Sequence, residues 1–282
     1  MDVETQPRMR SLTQKDLPAA HELSLSVAWP YRREDWQVAL SLGEGIAAFD
    51  GGRLVGTAMR WAFGARWGTL GMIIVAPAMQ GRGLGRRLFG AALEALGPRN
   101  AMLHATPAGE SLYRSAGFTP VATIRQHQGA AFSMGFHPPG AGERLRPAGR
   151  ADLAVLATLD AAATGMDRAA MIATLMAESE GIVLDRGGVA SGFALLRRFG
   201  RGKVIGPVVA PDAEAARLLV AHWLGQRQGE FLRIDVTEDS GLSPWLEAAG
   251  LPQVDSVTRM VRGQLAAPAA VRAFGLASQS FG

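Results

Sequence analysis

The sequence predicts two copies of one α/β domain, each a mixed sheet with helices packed on it. Three observations carry this. Landmarks recur in the same order at an offset near 133 to 136 residues. Of the 282 residues, 48% are apolar and 19% charged, enough for a sizeable core and too little charge for a disordered chain. Within one repeat, short apolar runs of strand type alternate with amphipathic stretches of helical spacing, divided by Gly and Pro.

The elements of the first repeat follow in order. Residues 16–27 are amphipathic and open near Thr13, an N-cap residue type. Residues 45–49 and 54–61 read as strands around Asp50-Gly51-Gly52, a hairpin turn signal. Residues 70–75 form a buried strand. Residues 84–96 carry Leu84, Leu88, Ala91, Ala92 and Ala95 at helical spacing and stop at Gly97-Pro98. Residues 101–105 are a further strand, 110–115 a short helix ended by Gly117, and 121–126 and 131–135 closing strands.

The second repeat returns the landmarks. Val75-Ala-Pro77 and Val209-Ala-Pro211 each close an apolar run, and Tyr113-Arg-Ser-Ala-Gly-Phe118 matches Leu246-Glu-Ala-Ala-Gly-Leu251 in pattern. Leu12–Leu17 aligns with Arg146–Leu153. The expected domains are 1–138 and 143–282, joined by a Pro/Gly linker at 137–142. The stretch from Gly263 onward, with Ala266–Val271 and Phe274, reads as a short helix docking back.

Several function classes fall away. The chain has no cysteine, which excludes disulfide scaffolds, Cys nucleophiles and Cys-based metal sites. Its five histidines (21, 104, 127, 137, 222) form no ligand spacing, so no metal is expected, and no Gly-x-Ser-x-Gly elbow is present. Residues 1–10 do not read as a signal peptide, and the most apolar run, 70–79, is far below the ~18 residues of a membrane span. A cytoplasmic protein is expected, with no membrane and no nucleic acid as partner, since no long basic run occurs.

The sharpest motif is Gln80-Gly-Arg-Gly-Leu-Gly85, where a buried strand meets a helix start. Glycine permits positive φ and close approach of a ligand, and a helix N-terminus offers unpaired N–H groups with partial positive charge. Arg82, Arg86 and Arg87 add full charges. These are the parts of a phosphate site. The turn lacks the lysine of a P-loop, and it departs from a dinucleotide-binding turn in glycine spacing and in having no acid about 20 residues on. The formal charge of +4 agrees: residues 1–142 hold 14 basic and 10 acidic residues, residues 143–282 hold 15 of each.

With this loop, and Tyr113 placed before Gly117-Phe118, the sequence resembles the GCN5-related N-acetyltransferases over most of residues 8–136. The whole chain resembles two-domain bacterial acetyltransferases with one standard and one degenerate domain. The degenerate half carries Asp212-Ala-Glu-Ala-Ala-Arg217 in place of the loop glycines and Leu246 in place of the tyrosine. The resemblance implies tandem domains with mostly antiparallel sheets, and acetyl-CoA as cosubstrate with no metal. It implies a small-molecule amine as acceptor, attacked directly. Gln80, Gly81, Arg82, Gly83, Leu84, Gly85 and Arg86 would hold the pyrophosphate. Ile73, Ile74 and Val75 would pair with the pantetheine arm as an added strand does. Tyr113 would protonate the departing thiolate. Glu34, Asp35 and His104 are candidate bases for the amine proton, with Glu22 and Glu110 behind them. A non-catalytic acyl-CoA-binding or sensing protein is the competing class, and a homodimer is left open.

Overall fold

In the computed structural model of the chain, which describes residues 6–132, 138–265, 267 and 269–282, both repeats open with the same clamp. Arg10 forms a two-pronged ion pair with Asp16, both contacts at 2.7 Å, and Asp16 also accepts the N–H of Thr13 at 2.9 Å. One repeat on, Arg146 grips Asp152 at 2.9 and 2.7 Å, and Asp152 accepts the N–H of Gly149 at 2.8 Å. In each case the carboxylate ends the entering strand and starts the first helix. The side chain thus supplies an acceptor that the backbone there lacks.

The chain divides into two units, Met1–Leu103 and His104–Gly282. In the first, β1 (Arg8–Ser11), β2 (Glu44–Asp50), β3 (Arg53–Phe63) and β4 (Trp67–Val75) run antiparallel in that order. β5 (Asn100–Ala105) then pairs parallel with β4. The helices are α1 (Leu17–Ser26), α2 (Arg33–Leu42) and α3 (Leu84–Leu96). α3 buries Leu84, Leu88 and Ala92 of the predicted stripe, together with Phe89 and Leu96; Ala91 is half-buried and Ala95 exposed, because the buried face is turned toward Phe89 and Leu96.

The helix α2 departs from the sequence reading, which left 33–42 without an element. Its N-cap is Arg32, not one of the usual Ser, Thr, Asp or Asn. Asp35 does the capping instead, accepting the N–H of Arg32 at 2.9 Å while pairing with its guanidinium at 2.8 Å. Trp36 is fully buried and donates its indole N–H to Ser24 Oγ at 3.3 Å. The indole N–H of Trp61, on β3, reaches the carbonyl of Ala39 at 2.9 Å.

The second unit holds α4 (Glu110–Ser115), β6 (Thr119–Ala130), β7 (Glu143–Pro147), α5 (Leu153–Thr164) and α6 (Ala169–Glu178). It continues with β8 (Ser179–Arg186), β9 (Val189–Phe199), β10 (Gly202–Ala210), α7 (Ala213–Gln226), β11 (Phe231–Thr237), α8 (Ser243–Ala248), β12 (Gln253–Arg262) and β13 (Arg272–Gly275). Its strand order is β12-β6-β11-β13-β10-β9-β8-β7, with β10 also parallel to β11. α7, α8 and the strands β8 to β11 enclose one apolar core around Leu219, Trp223, Ile234 and Leu246.

β6 belongs to the first repeat by sequence and to the second unit by contacts. It is hydrogen-bonded to β11 from Ala130 to Ile124 on one side and to β12 from His127 to Thr119 on the other. The compact units therefore part at Leu103/His104, ahead of the repeat boundary at 137–142. β6 ends at Ala130; of the closing strand expected at 131–135, residues 133–135 lie outside the described residues, as does His137 of the linker. The helix expected near 266–274 is corrected at its end: residues 272–275 are strand, because they find edge partners in β10 and β11. Ala266 and Pro268 lie outside the described residues.

Candidate functional site

β4 changes character half-way along. Its first residues pair with β5 as Trp67↔Asn100, Gly68↔Ala101 and Thr69↔Met102. At Met72 the register with β3 slips, between Thr57↔Ile74 and Met59↔Gly71, so β4 carries one residue more than β3. Met72 has φ 49°, the left-handed region that a long side chain rarely enters. The hydroxyl of Thr57, buried, donates to the Met72 carbonyl at 2.9 Å and fixes the bulge.

Past the bulge, Ala76 donates its N–H to Val55 on the β3 side. Backbone groups alternate along a strand, so the N–H groups of Val75 and Ile73 face the other way, along an edge for which no β5 pairing is recorded among the described residues. Gln80 turns back and donates its side-chain N–H to the Val75 carbonyl at 3.0 Å. Ile73, Val75 and Gln80 thus form one continuous edge and corner, while Ile74 pairs with Thr57 on the β3 side.

The loop follows at once. Gly81 and Gly83 both have φ 76°, which excludes most side chains by strain alone. Gly83 is the N-cap of α3 and supplies no side-chain acceptor, and no acid stands in the first turn. Among the described residues, no side chain caps the first N–H groups of α3, at Leu84, Gly85 and Arg86. Arg82 and Arg86 are exposed beside them. A Cβ on Gly85 would meet only Val75 Cγ2, at 3.6 Å, so packing within the chain does not require glycine there. Unpaired N–H groups, two positive φ glycines, arginines and an open strand edge fit a ligand that carries a pyrophosphate on an amide-bearing arm.

In the second unit, Tyr113 sits on α4, buried, with its ring 6.5 Å from that of Phe118. Gly109 makes room for it: a Cβ there would stand 2.9 Å from Tyr113 Cε2. Burial pushes the phenol up to about 12, so the hydroxyl keeps its proton across the working pH range.

The candidate bases are placed differently from one another. His104 Nδ1 lies 2.7 Å from the Gln279 carbonyl, and Arg259 donates its Nε–H to His104 Nε2 at 3.2 Å. A guanidinium can only donate, so Nε2 accepts and Nδ1 carries the hydrogen. Burial, with the charge of Arg259 added, pushes His104 down to about 3. The ring is neutral but both nitrogens are engaged, an arrangement suited to holding Arg259 and Gln279. Asp35 is buried in the cap of α2. Glu110 is paired with Arg114 at 2.6 Å and accepts from Thr258 at 3.3 Å. Glu34, in the first turn of α2, is exposed and has no ion pair among the described residues; Glu22 is exposed on α1.

Residues 42–120 match an acetyltransferase (GNAT) domain model, and residues 156–274 match a second acetyltransferase (GNAT) domain model. The chain belongs to the GNAT acetyltransferases. The two GNAT domains together span well over half of it. A curated relative, an uncharacterized N-acetyltransferase of Bacillus subtilis, is 27% identical over 174 residues, which is 61% of each chain. Among solved structures, a putative acetyltransferase from Pyrococcus horikoshii matches with a TM-score of 0.82 at 19% identity, covering 99% of this chain and 96% of that one. A tandem GNAT protein from the clavulanic acid biosynthesis pathway matches with a TM-score of 0.64 at 14% identity, covering 94% and 100%. At such identities the structures establish the fold.

The helix start of the second GNAT domain is built differently from that of the first. α7 starts at Asp212, whose carboxylate accepts the N–H of Ala215 at 2.8 Å, and Glu214 stands in the first turn. One orphan N–H, that of Ala215, is capped, and two carboxylates, Asp212 and Glu214, stand at this helix start, with Arg186 3.4 Å from Asp212. Among the described residues no group of three or more His, Asp or Glu could hold a metal ion, and no helix is long and apolar enough to cross a membrane. The bulge at Met72 escaped sequence reasoning, since a methionine gives no signal for positive φ.

Proposed function

We propose that the protein is an acetyl-CoA-dependent N-acetyltransferase that acetylates a small-molecule amine by direct attack, using the first GNAT domain. The observation that carries this reading is the uncapped N-terminus of α3 behind Gly81 and Gly83, continuous with the open edge of β4 past Met72. Gln80, Gly81, Arg82, Gly83, Leu84, Gly85 and Arg86 bind the pyrophosphate through backbone N–H groups and charge. Ile73, Ile74 and Val75 bind the pantetheine amides as an added strand. Acetyl-CoA supplies the activated thioester. A β4 N–H at the bulge donates to its carbonyl oxygen as negative charge develops there. The amine must reach the carbonyl unprotonated, and Glu34, the candidate acid at the start of α2 that is not tied up in a cap, takes its proton. The hydroxyl of Tyr113 gives its proton to the departing thiolate; burial keeps that proton in place.

The test is release of free thiol from acetyl-CoA across a panel of small amines, with wild type and Tyr113→Phe side by side, and calorimetric titration of acetyl-CoA into both. Thiol release that falls in the variant while binding holds supports the reading. Tight binding with no release across the panel favours a non-catalytic acyl-CoA sensor. Unchanged turnover in Tyr113→Phe removes the acid assignment.

A further inference from the structure

The second unit repeats the divergence of the strands and then fills it. Among the described residues, β10 and β11 pair in parallel only at Lys203↔Leu232 and Val204↔Arg233, the counterpart of the short β4–β5 pairing. The register of β10 with β9 then slips between Ile205 and Val208, as that of β4 slips at Met72. Into the gap runs the chain's own segment. β13 pairs antiparallel with β10 as Val208↔Gly275, Val209↔Ala273 and Ala210↔Arg272, and with β11 at Val236↔Gly275. Leu276 then donates its N–H to Asp235 at 2.9 Å.

The fit is close on both sides. A Cβ on Gly206 would fall 1.9 Å from the Leu276 carbonyl oxygen, and a Cβ on Gly275 would fall 2.9 Å from Val208 Cγ2. Beyond the strand, the buried Arg197 and Arg168 and the half-buried His104 take the segment's carbonyls one after another. Arg197 donates to Ala277 at 2.9 Å, His104 to Gln279 at 2.7 Å, and Arg168 to Phe281 at 2.9 Å and Gly282 at 2.5 Å. Arg168 is itself held by Asp160 at 2.6 Å, with both side chains at most 1% exposed. Phe274 to Ser278 and Ser280 to Gly282 are buried, whereas Arg262 to Leu265, leading in, are exposed. Most of these contacts read backbone, which is how an added strand is recognised.

We propose that the opening between β10 and β11 is a binding site for an extended polypeptide strand, occupied in cis by residues 272–282. The second domain thus holds peptide amides where a GNAT domain with an open edge has room for a pantetheine arm. The proposal rests on the geometry of the second unit alone and does not depend on which reaction the first domain performs.

The test uses the full chain with a protease recognition sequence inserted between Gln264 and Leu265 and cut only after folding. The expected result is that the cut piece stays with the body in native gel filtration. A fluorescent synthetic peptide of residues 270–282 should exchange into the nicked protein, and the same peptide carrying Gly275→Val should bind about tenfold more weakly or worse. A piece that elutes alone while the body keeps its circular dichroism spectrum overturns the proposal, as does equal exchange of the Gly275→Val peptide. If the inserted chain does not fold, hydrogen exchange on the unmodified protein decides. Protection of residues 273–282 as strong as that of β10 supports the site, and free exchange there overturns it. Calorimetry of acetyl-CoA on the uncut chain provides a separate reading, with no more than one equivalent expected and two equivalents overturning the proposal.

Discussion

The starts of α3 and α7 occupy the same place in two copies of one fold and differ in almost every feature that bears on an anion. α3 begins with glycines at φ 76°, no side-chain cap, no acid and flanking arginines. α7 begins with Asp212 closing on Ala215 and with Glu214 in its first turn. The scaffold around them is shared, down to the Arg10–Asp16 and Arg146–Asp152 clamps. The lesson is that a helix start has orphan donors to satisfy in either case. An internal carboxylate satisfies them for stability, and leaving them open makes them available to a ligand.

Substitutions at Tyr113 and at the two helix starts tell the halves apart. Tyr113→Phe removes the proton donor assigned to the first domain, and kcat should fall by about 100-fold, within the usual range for one acid or base. Leu246, at the matching position of the second domain, offers no such donor. Gly83→Val forces a β-branched residue into φ 76°, costing about 1–2 kcal/mol of strain and misaiming the N–H groups. Acetyl-CoA affinity should fall about tenfold or more by calorimetry, with the protein still folded. Asp212→Ala uncaps α7 and should cost about 1 kcal/mol in urea unfolding. A second equivalent of bound acetyl-CoA in that variant would show that the cap alone had excluded the ligand. Arg86→Ala should weaken acetyl-CoA binding a few-fold at low salt and much less at high salt, because an exposed charge is screened.

The paired clamps predict a pH dependence common to both halves. Arg10 and Arg146 hold the carboxyls of Asp16 and Asp152 below the usual carboxylate range. A depressed folded-state value adds stability that is present above the unfolded value, near 4, and is lost as pH falls below it. Asp16→Asn and Asp152→Asn should each flatten the acid limb of stability between about pH 5 and 2. If either substitution leaves that limb unchanged, the clamp it removes is not stabilising.

What the sequence made legible is local. The bounds of α3 and α4 follow from apolar spacing and from Gly97 and Gly117 past their ends. The loop at 80–86 was legible because glycine, arginine and a helix start are neighbours in the chain. α2 was missed because its cap is made by Asp35 reaching back to an arginine, an atypical N-cap. The base candidates could not be ranked from the sequence, because tertiary partners decide them. Asp35 is taken by Arg32, and His104 by Arg259 and Gln279, the latter 175 residues away. The strand at 272–275 was invisible for the same reason, since both its partners lie far upstream.

The position of β6 has a consequence for how the molecule comes to exist. During synthesis this strand leaves the ribosome more than a hundred residues before β11 and β12, its two neighbours, and Thr119 must wait for Val261. Pairings of such sequence separation close late, after the entropy of a long loop has been overcome. The nascent first repeat is therefore expected to carry β6 unpartnered while the second is made, as an exposed edge open to wrong pairings. For this chain the duplication tied the last strand of the first repeat to strands made more than a hundred residues later.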